Sequence, residues 1–294
     1  MTKKLLLLST GGTIASVVSD EGLAPGESGE ELIKMLGRLE YDITVRDILE
    51  LDSSNIQPEE WKIIAESIYD HRNDYDGIVV SHGTDTMAYT ASMLTFMLQH
   101  IDIPVVLTGS QVPMNVILSD APDNLRLAFA AAANCEPGVY IAFNRKVMRG
   151  CRSVKVRTTA FDAFESVNVP PVGEVTSDGF SIRDHRNPQP GKSQLNTKID
   201  THVSLVKLFP GFDPALLHAM AKNGCHGIVI EAYGLGGMTS IRRNMVAAVG
   251  ELIRNGIPII TSSQCLYERS DLTKYEVGRL ALLEGAISAR DMTS

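Results

Sequence analysis

The chain of 294 residues is acidic, with 27 Lys plus Arg against 35 Asp plus Glu, a formal net charge of −8 and 44% hydrophobic residues. That length and apolar content suffice for two domains with real cores, whereas the charge argues against nucleic acid or anionic membranes as partners, because both require basic patches. Its four cysteines, Cys135, Cys151, Cys225 and Cys265, are far apart with no C-x-x-C pair, which suggests neither a metal site nor a disulfide framework and fits reduced thiols in a cytoplasmic protein.

Lys3-Lys4 followed by Leu5–Leu8 imitates the start of a secretory signal, but the apolar run is cut at Ser9 and reads as a first strand. No apolar stretch approaches the roughly 18 residues of a membrane-spanning helix. The strand runs into Ser9-Thr10-Gly11-Gly12-Thr13-Ile14-Ala15. Glycines there leave backbone N–H groups approachable at the carboxyl edge of a sheet, where open α/β folds bind their ligands, so Thr13 is a candidate nucleophile. The alternative is a tight turn in which the threonine only caps the next element. Residues 16–29 form a long polar stretch, a candidate lid.

Helical character is predicted for 30–39 and extended character for 43–51, which leads into the polar cluster Asp52-Ser53-Ser54-Asn55. Pro58 opens a helix with Trp61, Ile64, Ala65 and Ile68 on its buried stripe. Residues 77–81 form an apolar strand of the kind found inside a parallel sheet, delivering Ser81-His82-Gly83-Thr84-Asp85-Thr86 to its carboxyl end. Thr84 or Asp85 is predicted to cap a helix reaching about His100. A strand over 103–108 ends in Gly109-Ser110-Gln111, a helix spans 120–134 and a strand 139–143.

This alternation predicts an α/β fold with a doubly wound, mostly parallel sheet. Arg149, Arg152, Lys155 and Arg157 come next in a weak period of two, suggesting a returning hairpin in which spacing alone favours a solvated cation at Lys155 over a catalytic base. The polar, proline-marked run near 184–200 reads as a linker. The expected domains are therefore 1–184, a linker at 185–201, and a smaller parallel α/β domain over 202–294. In the second domain, Tyr233-Gly234-Leu235-Gly236-Gly237 is only a weak likeness to a dinucleotide loop.

Two threonines on glycine-led turns suit amide hydrolysis through an acyl intermediate, provided that a base accepts the hydroxyl proton. His82 fits a structural hydrogen bond as well as a catalytic one. The other candidate is Lys155 paired with Asp85 and Thr84, where burial favours the neutral amine and the carboxylate favours the ammonium.

Taken together, Thr10-Gly11-Gly12-Thr13-Ile14-Ala15, His82-Gly83-Thr84-Asp85-Thr86-Met87, Thr108-Gly109-Ser110-Gln111 and Lys155-Val156-Arg157 resemble, in order and separation, the bacterial-type L-asparaginase family, and most of all its cytosolic type I branch. The resemblance runs over essentially the whole chain. It implies that Thr13 attacks the side-chain amide, with Thr84, Asp85 and Lys155 as a triad. It also implies that Ser53 and the Gly83 backbone, with Ser54 beside them, hold the substrate α-carboxylate, and that Asp85 holds the α-amino group. Ammonia would leave and water would release aspartate, with no cofactor and no metal. The implied assembly is a homo-oligomer, a dimer or a dimer of dimers, with each site completed by the partner's C-terminal domain.

Two departures from the family pattern stand out. Leu23 occupies the lid position where many relatives carry a tyrosine, leaving Tyr275 as a candidate phenol from elsewhere. The sequence stops at Arg290–Ser294, which resembles the start of a final helical segment, so the smaller domain is expected to lack that segment. The alternatives are an ammonia-releasing amidotransferase subunit for tRNA amidation, which usually carries an additional N-terminal domain, and a non-catalytic amino-acid sensor. A purely structural protein has no need of polar motifs at several strand ends.

Overall fold

Alternation of apolar strands and amphipathic helices is what the chain folds into. The computed structural model describes residues 2–19, 22–184 and 191–294, and of 17–19 and 22–25 the backbone only. It divides into two units, Met1–Lys198 and Ile199–Ser294.

In the first unit the leucine run becomes β1 (Lys4–Gly11), buried beyond its first residue. The polar stretch after it contains two short antiparallel strands, β2 (Ser16–Ser19) and β3 (Gly22–Pro25). The side chain of Leu23 lies outside the described ones. Helix α1 (Gly29–Leu36) starts at Ser28, whose hydroxyl accepts from Glu31 N–H while Glu31 accepts from Ser28 N–H, a reciprocal capping box. It stops three residues short of the expected Leu39, because Gly37 adopts φ 74°, a left-handed conformation that terminates helices.

Next come β4 (Asp42–Leu51) and α2 (Pro58–His71), the latter with proline in its first turn and Gln57 N–H donating to Glu60. They are followed by β5 (Gly77–Ser81), α3 (Met87–Met97), β6 (Leu98–Gln99), β7 (Pro104–Thr108) and α4 (Ala121–Asn134). The rest of the unit is strands: β8 (Gly138–Phe143), β9 (Lys146–Arg149), β10 (Ser153–Lys155), β11 (Phe164–Ser166), β12 (Gly173–Thr176), β13 (Gly179–Ile182) and β14 (Gln194–Leu195). Part of the expected linker, residues 185–190, lies outside the described residues; Gln194–Leu195 pairs antiparallel with β6.

The main sheet has the order β13-β12-β9-β8-β7-β5-β1-β4. Strands β4, β1, β5, β7 and β8 are parallel, and β9, β12 and β13 continue it antiparallel. Leu5, Leu7, Val79 and Val106 pack on one face with Leu32 of α1 and Leu125, Ala128 and Phe129 of α4. The alternate residues Leu6, Leu8, Ile78, Val80, Val105 and Leu107 are equally inaccessible, so both faces are covered, as a parallel sheet demands. From β1 the chain goes first outward to β4, then returns to β5 on the other side of β1. This reversal makes the gap between the carboxyl ends of β1 and β5 the topological switch point, where open α/β sheets bind ligands.

The second unit is a parallel sheet of β15 (Val203–Lys207), β16 (Gly227–Ala232), β17 (Ile259–Ser263) and β18 (Ile287–Ser288), in that order. Helices α5 (Ala215–Lys222), α6 (Met245–Arg254) and α7 (Glu276–Leu283) supply Leu217, Val249, Leu252 and Ala281 to its core. Helix α6 starts at Met245, three residues later than the expected Arg242, with its N-cap at Asn244, whose side chain accepts from Ala247 N–H. Arg290 and Asp291 form a turn, with Met292 N–H on the Ala289 carbonyl. Tyr275 precedes α7 and is exposed. Among the described residues no helix is long and apolar enough to cross a membrane.

Candidate active site

Three strand ends meet at the switch point because glycine lets them touch. Gly11 and Gly12 adopt φ 95° and 82°, and Gly12 N–H donates to the Leu51 carbonyl at the end of β4. A Cβ at Gly12 would lie 2.4 Å from the Gly83 nitrogen, and one at Gly83 would lie 2.6 Å from Ser53 Oγ. The turns after β1, β5 and β4 are thus in van der Waals contact, which puts Thr13 and Thr84 on adjoining turns. Gly12→Ala is expected to force these turns apart. It should lower the thermal unfolding midpoint and cost about 10²-fold in turnover, the scale of an ångström-sized misplacement, measurable by thermal melts and steady-state assay.

Thr13 is half-buried, and its hydroxyl has no hydrogen-bond partner among the described residues. Thr84 is buried and wired. The Lys155 side chain is only 16% exposed, and its Nζ donates to Thr84 Oγ1 at 2.8 Å and to Asp85 Oδ1 at 2.6 Å. Thr84 Oγ1 in turn donates to Gln111 Oε1 at 3.3 Å. Lys155 reaches this position as the last residue of β10, which pairs antiparallel with β11, Lys155 standing opposite Phe164. The side chain therefore faces a carboxylate and a hydroxyl, and the solvated-cation reading of the sequence gives way.

The cap expected at Thr84 or Asp85 also gives way. Helix α3 starts at Met87 with Thr86 at its N-cap, and no side chain caps it. Thr86 Oγ1 donates instead to the Ser53 carbonyl at 2.7 Å, tying the ends of β4 and β5 together. Asp52 accepts from Ser54 N–H, and Ser53 is buried while Ser54 is exposed. Ser53 and Gly83 are thus brought together, whereas Ser54 points to solvent on the same short turn.

His82 is fully buried, with Nδ1 2.7 Å from the Gly83 carbonyl and Nε2 2.9 Å from Thr90 Oγ1. A carbonyl only accepts, so Nδ1 carries the proton and Nε2 of the neutral ring accepts from Thr90. Thr90 Oγ1 accepts from Trp61 Nε1–H at 3.0 Å. The result is a one-way relay from Trp61 through Thr90 and His82 to the Gly83 carbonyl, which fixes the peptide plane leading into Thr84. Burial pushes the His82 pKa down to about 4, against the bond to Gly83, which acts to raise it.

That shift has a sign. Between the unfolded value of 6.5 and about 4 the unfolded chain binds the proton and the native one does not, so His82's stabilising contribution is complete above pH 6.5 and declines as the pH falls. The expected loss is roughly 3 kcal/mol over that range. Urea unfolding at stepped pH should show a shallower acid decline in His82→Gln than in the wild-type chain.

Sequence alone does not single out two supporting residues. Gln111 Nε2 donates to the carbonyls of Thr158 at 3.0 Å and Ala160 at 3.2 Å, tying the segment after Lys155 to the end of β7. Asp120 accepts from the backbone N–H groups of Gln111 and Val112 and from Asn124 Nδ2. The polar run after Thr108 is the available signal for Gln111; Asp120 has the look of an ordinary helix start.

With this geometry the chain is an α/β protein whose hydroxyls, ammonium and carboxylate converge at a sheet switch point. Residues 4–188 match the family described as "Asparaginase, N-terminal" and residues 202–294 the "Glutaminase/Asparaginase C-terminal domain". The chain belongs to the asparaginase family. It is 43% identical to the L-asparaginase of Thermococcus kodakarensis, over 99% of this chain and 89% of that protein. The solved structure of the thermostable L-asparaginase from that organism superposes with a TM-score of 0.94 at the same coverage. It is 34% identical to L-asparaginase 1 of Escherichia coli K12, over 99% of this chain and 88% of the relative. A glutamyl-tRNA(Gln) amidotransferase subunit of Methanopyrus kandleri is 35% identical, over 97% of this chain but 67% of the relative.

Proposed function

We propose that this chain hydrolyses L-asparagine to L-aspartate and ammonia through an acyl-enzyme on Thr13. The observation that carries the reading is the Lys155 contact with both Thr84 and Asp85, beside a turn whose threonine hydroxyl is free to attack. In this mechanism the α-carboxylate of the substrate lies against Ser53 and the Gly83 backbone, and its α-ammonium group lies on Asp85, whose side chain is 61% exposed and open to a ligand. Thr13 Oγ1 attacks the side-chain amide carbon, the C–N bond breaks and ammonia departs with the hydroxyl proton. Water then attacks the ester carbon, the bond to Thr13 Oγ1 breaks to release aspartate, and a proton of the water is relayed along the Thr84–Lys155 contact as Thr13 regains its hydroxyl proton. No cofactor or metal enters this scheme.

Residues 1–184 carry the chemistry in this proposal, with 185–201 as connector and 202–294 as the smaller domain. All four cysteines are unpaired, which supports a reducing, cytoplasmic setting. Ile117, Leu118, Ile241 and Leu283 are each more than four-fifths exposed, which supports a homo-oligomer, a dimer or a dimer of dimers. The identity of 43% to an L-asparaginase, against 35% to an amidotransferase subunit, favours free asparagine over a tRNA-linked role.

The test is ammonia release from L-asparagine, L-glutamine and D-asparagine. Release is expected to be fastest from L-asparagine, with the extra methylene of glutamine costing about 1 to 3 kcal/mol of discrimination. No ammonia from any of the three, in a folded sample, contradicts the proposal.

A further inference from the structure

The amino-terminal edge of the smaller sheet carries a cluster that neither the proposed chemistry nor the cysteine spacing accounts for. His202 immediately precedes β15 and His226 immediately precedes β16. Because Val203 is paired in parallel with Gly227, residues far apart in sequence become neighbours, with His226 N–H on the His202 carbonyl at 2.7 Å. The imidazole rings lie with centroids 4.9 Å apart. Asp200 is set in place two residues earlier, its Oδ1 accepting from His202 N–H at 2.9 Å. The same carboxylate meets both rings, with Oδ2 2.8 Å from His226 Nδ1 and Oδ1 3.4 Å from His202 Nδ1.

We propose that Asp200, His202 and His226 form a binding site for a late first-row divalent cation such as Zn²⁺. The two Nδ1 atoms and the carboxylate turn toward one another, and the three ligand atoms lie within 4.8 Å of one another. Metal–ligand bonds of about 2.0–2.2 Å in tetrahedral or octahedral geometry require neighbouring donors about 2.8–3.6 Å apart. The two carboxylate–imidazole separations already fall in that range. Two imidazoles with one carboxylate select zinc, nickel, cobalt or copper over magnesium and calcium, which prefer oxygen donors throughout. The rigid parts of the site are backbone: paired strand starts fix the histidines, and a backbone N–H orients the aspartate. Only the shared Nδ1 protons must leave when the cation binds. The remaining coordination positions face solvent, since both histidine side chains are more than half exposed, so water completes the shell. Bound metal would fasten the segment entering this unit to the first two strands of its sheet.

The experiment is calorimetric titration of the full chain, freed of metal, with Zn²⁺ at neutral pH, alongside thermal unfolding with and without Zn²⁺. One equivalent is expected to bind and to raise the unfolding midpoint. His226→Ala and Asp200→Asn should each weaken binding by at least about tenfold, the scale on which even outer-shell partners tune metal affinity. The exposed double variant His202→Ala/His226→Ala should stay folded and show neither heat nor a shifted midpoint, while Cys225→Ser should bind as the wild type does. The proposal is overturned if the wild-type chain binds no Zn²⁺, if the double variant binds it equally well, or if Cys225→Ser alone abolishes uptake.

Discussion

Thr13→Ala is expected to fold with an unchanged melting profile, to retain binding of L-aspartate, and to release ammonia from L-asparagine about 10⁴-fold or more slowly than the wild-type chain. The size reflects the removal of a covalent route, since nucleophile deletions in acyl-transfer enzymes cost on the order of 10⁴ to 10⁶ in turnover. Retained binding is a matter of geometry. The groups proposed to hold the amino acid, Ser53, Gly83 and Asp85, belong to the turns after β4 and β5 rather than to the Thr13 turn. A truncated methyl and hydroxyl on a half-buried side chain also opens little space in the core. Turnover in Thr13→Ala equal to that of the wild type would remove Thr13 from the mechanism.

Lys155→Met is the second large effect, expected to lower turnover by about 10² to 10⁴-fold, the range that a positioned acid–base group contributes. Methionine approximates the length of the lysine stem, so the buried part of the side chain is retained while the amine is lost. Two acceptors then lose one donor together, because Thr84 Oγ1 and Asp85 Oδ1 share Nζ. Lys155→Arg is expected to restore little. Its guanidinium keeps the charge, but it is a planar fork that does not give up a proton, whereas the role requires a compact amine able to take one. Steady-state kinetics of the two variants separates the readings: a role limited to charge predicts recovery in the arginine variant, and proton transfer predicts none.

Much of the fold is legible locally, because its periodicities are strong. The leucine run of β1 and the wholly apolar β5 are central parallel strands, buried on both faces, and their composition says as much. The polar residues at strand ends are legible too, since a core has no use for them.

Partnership is what local sequence cannot give. A threonine and an aspartate ahead of an apolar helix look the same whether they cap it or serve a site, and only the Lys155 ammonium, 71 residues further on from Thr84, separates the two. Spacing alone favours solvent for Lys155, and it is likeness to the asparaginase motifs that points to it as a site residue. For His82 the decision rests on complete burial and on Thr90 and Trp61, neither of which carries a signal of its own. The histidine–aspartate cluster of the smaller sheet is invisible for the same reason: strand pairing, not spacing in the chain, makes neighbours of His202 and His226.

The most direct measurement is a crystal structure of the wild-type chain with L-aspartate bound. The side-chain carboxyl carbon is expected about 3 to 3.5 Å from Thr13 Oγ1, a near-attack distance, with Thr84 Oγ1 in hydrogen-bond reach of the same carboxylate, the α-carboxylate on Ser53 and the α-ammonium on Asp85. Aspartate seated with its side chain turned away from Thr13, in a protein that releases ammonia from L-asparagine, would contradict the proposed mechanism.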